Sequence, residues 1–379
     1  MVYYIRMGEI PEKRHTYIKK ENVFKEELFG LSGFEGRYSL LYHIFDPAEV
    51  DSEETEEIEK IAINDKAEHR HIQAGKLPEE GNFYTGRQIL FKNCDTSTGI
   101  IYTEKNTDEY FRNAICDEVF FVQSGRGFVE SAFGKLKFRP GDFIFIPKGT
   151  TYRTKIDEKI YVFFVQSSDH INIPERYMNP YGQIKEGIPY YTRDIKVPEF
   201  QKAQNIAGEY KIRVYYGDRY INYRRKNPVF DLVGYDGYLY PFTLNIENIA
   251  PIVGKLHMPP PVHEIFESKK FMIGAFLPRP FDFDSNAIPV PYAHNNIDSD
   301  ELIFYSSGNF MSRKGIGTRS ITMHVHGMIH GPQPGIIENS IGARKTDEVA
   351  IMVESYKWLD ATEKAEKVKD NNYKYSWKY

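Results

Sequence analysis

The stretch Pro291 to Gly308, PYAHNNIDSDELIFYSSG, sets one imidazole, two amides and three carboxylates directly before an apolar run. His294 stands near its start, and Glu301 follows seven residues later. Taken alone, so many Asn, Asp and Ser residues make a turn leading into a strand over Leu302 to Tyr305. The surrounding sequence suggests more. Six of the chain's eleven histidines, His257, His263, His294, His324, His326 and His330, lie in this one region. Imidazole and carboxylate are the side chains that hold divalent metals and move protons. A lone histidine near apolar residues is usually structural; several in one short region are candidates for chemistry.

Such groups need elements to hold them. From Tyr84 onward QILFKN, GIIYTEK, EVFFVQSG, GFVESAFG, KLKFRPGDFIFIPKGTTY and KIYVFFVQ follow in quick succession. GYLYPFTLNI, KFMIGAFLPRP, ELIFYSSG, SITMHVHG and EVAIMVES continue the habit later in the chain. Short apolar or alternating runs bounded by turn residues predict a β-sandwich or barrel. The 28 Tyr and 26 Phe against 2 Trp agree, because aromatic side chains suit pleated surfaces. The first forty residues show no clear period, and 190–226 reads as a connector with some strands. Asp51 to Arg70 reads as a solvated, partly helical insertion, and Trp358 to Tyr379 as an exposed helix and tail.

A chain of 379 residues exceeds what one core usually serves, so two halves are expected, 1–190 and 191–379. A formal charge of −4 gives no reason to expect nucleic acid or an anionic membrane as partner. There is no apolar run of membrane-spanning length, and the opening residues lack the pattern of a signal peptide. Two cysteines, Cys94 and Cys116, build no disulfide framework, which fits a reducing cytoplasm.

The two halves share a spaced pattern. Glu118 leads VFFVQSG and Gly141 leads DFIFIPKGTTY; Glu301 leads LIFYSSG and a Gly-rich turn leads SITMHVHGMIH. This resembles the paired motifs of the cupin family, and the resemblance implies an all-β chain of two cupin-type, double-stranded jelly-roll barrels with a few peripheral helices. The matching positions in the second half are His294, Asn296 and Glu301, then Val325 to His330. In the first half they are Phe111, Asn113 and Glu118, then Pro147 to Tyr152, so both histidines are missing there. Residues i and i+2 of a strand face the same way, so His294 and Asn296 would look inward together. By the resemblance, His294, Glu301 and His330 form a facial triad with open positions, a set that suits Fe(II) and oxygen.

Over most of its length the chain is similar, more specifically, to the homogentisate 1,2-dioxygenase family. NPVFDLVGYDGYLYPFTLNI, KLHMPPPVHEIF, PYAHNNIDSDE and HGMIHGPQPG fall in that family's order. YFRNAICDEVFFVQSGRGFVESAFGKLKFRPGDFIFIPKGTTYR matches its metal-free N-terminal barrel. This implies His257 as the active-site base and His324 as a histidine near the substrate. Tyr292 and His330 would also face the substrate. Phe310 stands where a substrate-contacting tyrosine is expected. Asp300 in place of Glu301 would restore the family's usual spacing from His294, whereas Glu301 better fits the distance to Gly308 and is preferred. His263 is an alternative to His257, and Arg313 or Arg319 could receive a carboxylate.

The implied activity is Fe(II)-dependent cleavage of homogentisate with O2 to maleylacetoacetate. A related dioxygenase acting on gentisate, a metal-dependent isomerase, and a bicupin that binds without catalysis are the other readings. The implied partners are a small aromatic acid and O2, and the family suggests a homo-oligomer, a hexamer.

Overall fold

Alternate residues of a strand face opposite ways, and this period of two assembles the molecule. The structure, a computed structural model, describes residues 3–21, 23–310 and 312–378. Strands predominate among these residues, and the α-helices Ile336–Ser340 and Glu363–Glu366 are about one turn each. No helix among the described residues is long and apolar enough to cross a membrane. The largest sheet is built on Asp117–Ser131 and Thr151–Ser167, paired antiparallel over most of their length and flanked by Asp142–Ile146 and Thr96–Thr103. A second sheet runs Glu264–Glu267, Phe271–Phe276, Val349–Ser355, Asp300–Ser307, Ser320–His324 and Arg70–Ile72, in that order.

Val119, Phe121, Phe163 and Val165 of the large sheet enter a core shared with Leu302 and Phe304 of the second. There Phe304 stacks on Phe163, with centroids 4.9 Å apart. Arg319 joins the sheets from the side. Its guanidinium lies 4.2 Å over the Tyr161 ring, and its Nε donates to Gln123 Oε1 at 3.1 Å. The alternate residues Phe120, Val122, Val162 and Phe164 turn to a separate core with Phe111 and Tyr152. In the second sheet Ile303 and Tyr305 likewise turn away from the shared core. The same alternation carries Glu301 to their side.

Three stretches differ from the sequence reading. The first forty residues hold Ile5–Gly8, Lys25–Gly30 and Tyr38–His43, which form a sheet with Leu232–Gly237. In the Asp51–Arg70 stretch, Ser52–Glu57 is a strand rather than a helix. It pairs with Arg219–Arg225, and Glu56 meets Arg213 at 2.7 Å. Pairing with a basic neighbour overrides the helical preference of a glutamate run. The closing stretch is not simply an exposed tail, since Leu359, Ala365 and Tyr373 are buried.

In the large sheet, Glu118 is buried and fully engaged. Arg87 Nη1 donates to its Oε1 at 2.5 Å, the Tyr152 hydroxyl to Oε2 at 2.8 Å, and Asn113 Nδ2 to Oε1 at 3.0 Å. Arg87 also lies 4.9 Å over the Phe111 ring. Phe111 and Tyr152 therefore surround a built-in cation that motif spacing alone does not reveal. Glu118→Gln leaves a buried guanidinium without its counter-charge. We expect a loss of about 3–5 kcal/mol in chemical denaturation, with metal content unchanged. Loss of metal from a folded Glu118→Gln protein would show that this half contributes to metal binding.

Candidate metal centre

His294 and His330 are set side by side by their own backbones. Each donates its N–H to the other's carbonyl, at 2.8 and 2.9 Å, in an isolated antiparallel bridge. The rings lie 4.3 Å apart, centroid to centroid. Gly331 permits the approach, because a Cβ there would stand 2.5 Å from Ala293 Cα.

The ring orientations follow from two carbonyls. His294 Nδ1 lies 3.3 Å from Tyr292 O, and His330 Nδ1 lies 3.2 Å from Met328 O. A carbonyl can only accept, so each Nδ1 carries a proton and Nε2 is the atom left for a metal. Both Nε2 atoms face Glu301, at 3.7 Å from Oε2 for His294 and 3.5 Å from Oε1 for His330. One ligand atom from each of the three residues lies within 4.8 Å of the others. His330 Nε2 is buried and has no hydrogen-bond partner among the described residues. A divalent cation fits this donor set, because it satisfies all three groups at once.

Strand alternation separates Glu301 from its neighbour. Asp300 points to the other face, where Oδ1 accepts from the His326 N–H at 2.8 Å and Oδ2 from the Leu359 N–H at 2.6 Å. Glu301 lies opposite His324 in register, and His324 Nδ1 donates to its Oε1 at 2.6 Å. Burial would raise the Glu301 carboxyl, but the surrounding His294, His324 and His330 outweigh it and hold the group well below the usual carboxylate range. Burial, aided by Arg313, pushes His324 down to about 3 against the pull of Glu301, so its ring is neutral. Across the sheet from Glu301, burial and then Glu301 itself raise the carboxyl of Glu354.

A cavity of about 250 Å³ opens beside His294 and Glu301. His257, His263, Phe276, Arg279, Tyr292 and Tyr305 are in its wall. His257 Nδ1 lies 3.8 Å from Asp282 Oδ2, and its ring meets Tyr292 edge-on. Burial, then Arg279 and His257, push His263 down to about 4. His324, His330 and Phe310 are not among the residues lining this cavity. His324 lies against Glu301, and Phe310 packs edge-on against Tyr305 at 4.8 Å. Sequence reasoning missed Tyr305, Arg279, Glu354 and Tyr373, and also His69, whose ring lies edge-on to those of His324 and His330. Stepping by two from Glu301 along its strand would have found Tyr305. Arg279 and Glu354 come from strands whose register no spacing reveals.

Comparison with known proteins agrees with this geometry. Residues 91–246 match the family described as homogentisate 1,2-dioxygenase, N-terminal. The chain is 40% identical over 383 residues to a Saccharolobus solfataricus protein provisionally named a dioxygenase, covering 100% of this chain and 99% of that one. It is 24% identical to the homogentisate 1,2-dioxygenase of Emericella nidulans over 62% of this chain and 54% of that enzyme. It is 23% identical to the mouse enzyme of the same name over 70% of this chain and 63% of that one.

Purified protein should bind about one divalent metal per chain, as a single facial triad requires. His294→Ala and His330→Ala should each reduce that toward zero by elemental analysis. Asp300→Asn should retain the metal and lower the melting temperature; equal metal loss there would move the carboxylate ligand to Asp300.

Proposed function

This chain belongs to the homogentisate 1,2-dioxygenase-like family of cupin dioxygenases, and we propose that it is an Fe(II)-dependent ring-cleaving dioxygenase. Homogentisate is the first candidate substrate, opened with O2 to maleylacetoacetate. In this reading the chain forms two cupin-type barrels, 1–190 without metal ligands and 191–379 with the catalytic site. One observation carries the proposal: two imidazoles turn Nε2 on Glu301 at the wall of an aromatic-lined cavity.

Bound by His294, Glu301 and His330, Fe(II) would supply the electronic route by which an aromatic ring reacts with triplet oxygen. The chain's own residues bind and orient. Phe276, Tyr292 and Tyr305 offer ring surfaces to a flat substrate. Arg279 places a positive charge in the wall for an acidic arm. His257 takes or shares the proton of a substrate hydroxyl, with Asp282 Oδ2 3.8 Å from its Nδ1. His263 suits that task less well, because burial opposes its protonation. His324 holds Glu301 in place. A second reading is a related dioxygenase acting on another hydroxylated aromatic acid such as gentisate; Phe310, at the position of the expected tyrosine, meets the cavity wall only through Tyr305.

The test is anaerobic loading with Fe(II), then oxygen uptake on a panel of dihydroxy-aromatic acids. His257→Ala should keep its iron and lose turnover by about 10²–10⁴-fold, the usual contribution of an acid–base group. His263→Ala should lose much less. A dead His263→Ala with iron retained would move the base to that residue. No uptake by iron-loaded wild type on any of the panel would overturn the dioxygenase reading.

A further inference from the structure

The segment that ends the described chain is folded against the metal centre. Trp377 Nε1 donates to Gly331 O at 3.1 Å, and Gln333 Nε2 donates to Ser376 Oγ at 2.7 Å. These contacts latch the segment to the residues that follow His330. They also bring the Tyr373 hydroxyl to 2.8 Å from His324 Nε2. His324 is fully buried and Tyr373 is 3% exposed.

Hydrogen-bond direction gives this contact its meaning. A neutral imidazole carries one proton, and it can donate to Glu301 only if that proton sits on Nδ1. Nε2 must then be kept as an acceptor. Arg313 can only donate, and its Nη2 stands 3.5 Å from the same Nε2. The Arg313 charge also acts on the Tyr373 hydroxyl. The Tyr373 hydroxyl, 2.8 Å away, is the group that can give its proton to His324 Nε2. The chain Tyr373, His324, Glu301 thus runs in one direction and fixes one carboxylate orientation.

We propose that Tyr373 is a positioning residue for the metal centre: its hydroxyl holds His324 in the tautomer that donates to Glu301, and so aims the Glu301 carboxylate at the cation. This rests on the metal-centre reading above. Groups that orient a ligand in this way typically change metal affinity by about 10–100-fold when removed.

Tyr373→Phe keeps the ring packed on Trp377 and removes only the hydroxyl. The full chain, stripped of metal, is titrated with Co(II) against a competing chelator, and the visible spectrum of the Co(II) form is recorded. Tyr373→Phe should bind Co(II) about tenfold or more weakly and shift the visible bands, with the melting temperature of the metal-free protein nearly unchanged. In a His324→Gln background the same substitution should cost nothing further, because the partner it acts through is gone. Unchanged affinity and spectrum in Tyr373→Phe would overturn the inference, as would additive losses in the double variant. Failure of the wild type to bind Co(II) would overturn the metal centre itself, and this inference with it.

Discussion

Two imidazole lone pairs and an ionised carboxylate that meet in a buried space require positive charge between them. The second half of the chain is arranged around this requirement. The backbone bridge between His294 and His330 sets the rings together, and the carbonyls of Tyr292 and Met328 turn their lone pairs inward. Strand alternation supplies Glu301 from the opposite wall, and His324 keeps it there. A proton on His294 is the simplest competitor, since the Glu301 carboxylate beside it raises that ring's affinity for one. A metal ion must displace that proton, so binding and deprotonation are linked.

The first half meets the same requirement differently. Glu118 begins its apolar strand as Glu301 does, and it too is buried. There the charge is covalent: the Arg87 guanidinium lies on the carboxylate, with Tyr152 and Asn113 completing its hydrogen bonds. One carboxylate is therefore neutralised by the protein itself, and the other is left for an ion from outside. This difference of a few residues separates a carboxylate paired with a guanidinium from one set among groups that could hold a metal.

The strand pattern was legible because VFFVQ, FIFI and LIFY are apolar runs of strand length between turn residues, and each became a strand. The triad was legible because its spacing follows a motif. Asp300 and Glu301 could not be separated from spacing, since adjacent positions differ only in the face they present; the bonds from the His326 and Leu359 backbones to Asp300 show which face it took. Arg87 and Tyr373 were not legible at all. Each reaches its partner through tertiary packing across 31 and 49 residues of chain, respectively. The Ser52–Glu57 strand was misread because helix preference was weighed without its arginine-bearing partner.

The central claim is that one cation, and only one, belongs in this chain, at the second carboxylate and not the first. Anomalous X-ray diffraction at the iron edge, from crystals of Fe(II)-loaded protein grown without oxygen, tests it directly. One peak per chain is expected, bounded by His294 Nε2, His330 Nε2 and the Glu301 carboxylate, and none beside Glu118. A peak at Glu118, or none among His294, Glu301 and His330 in a fully loaded crystal, would contradict it.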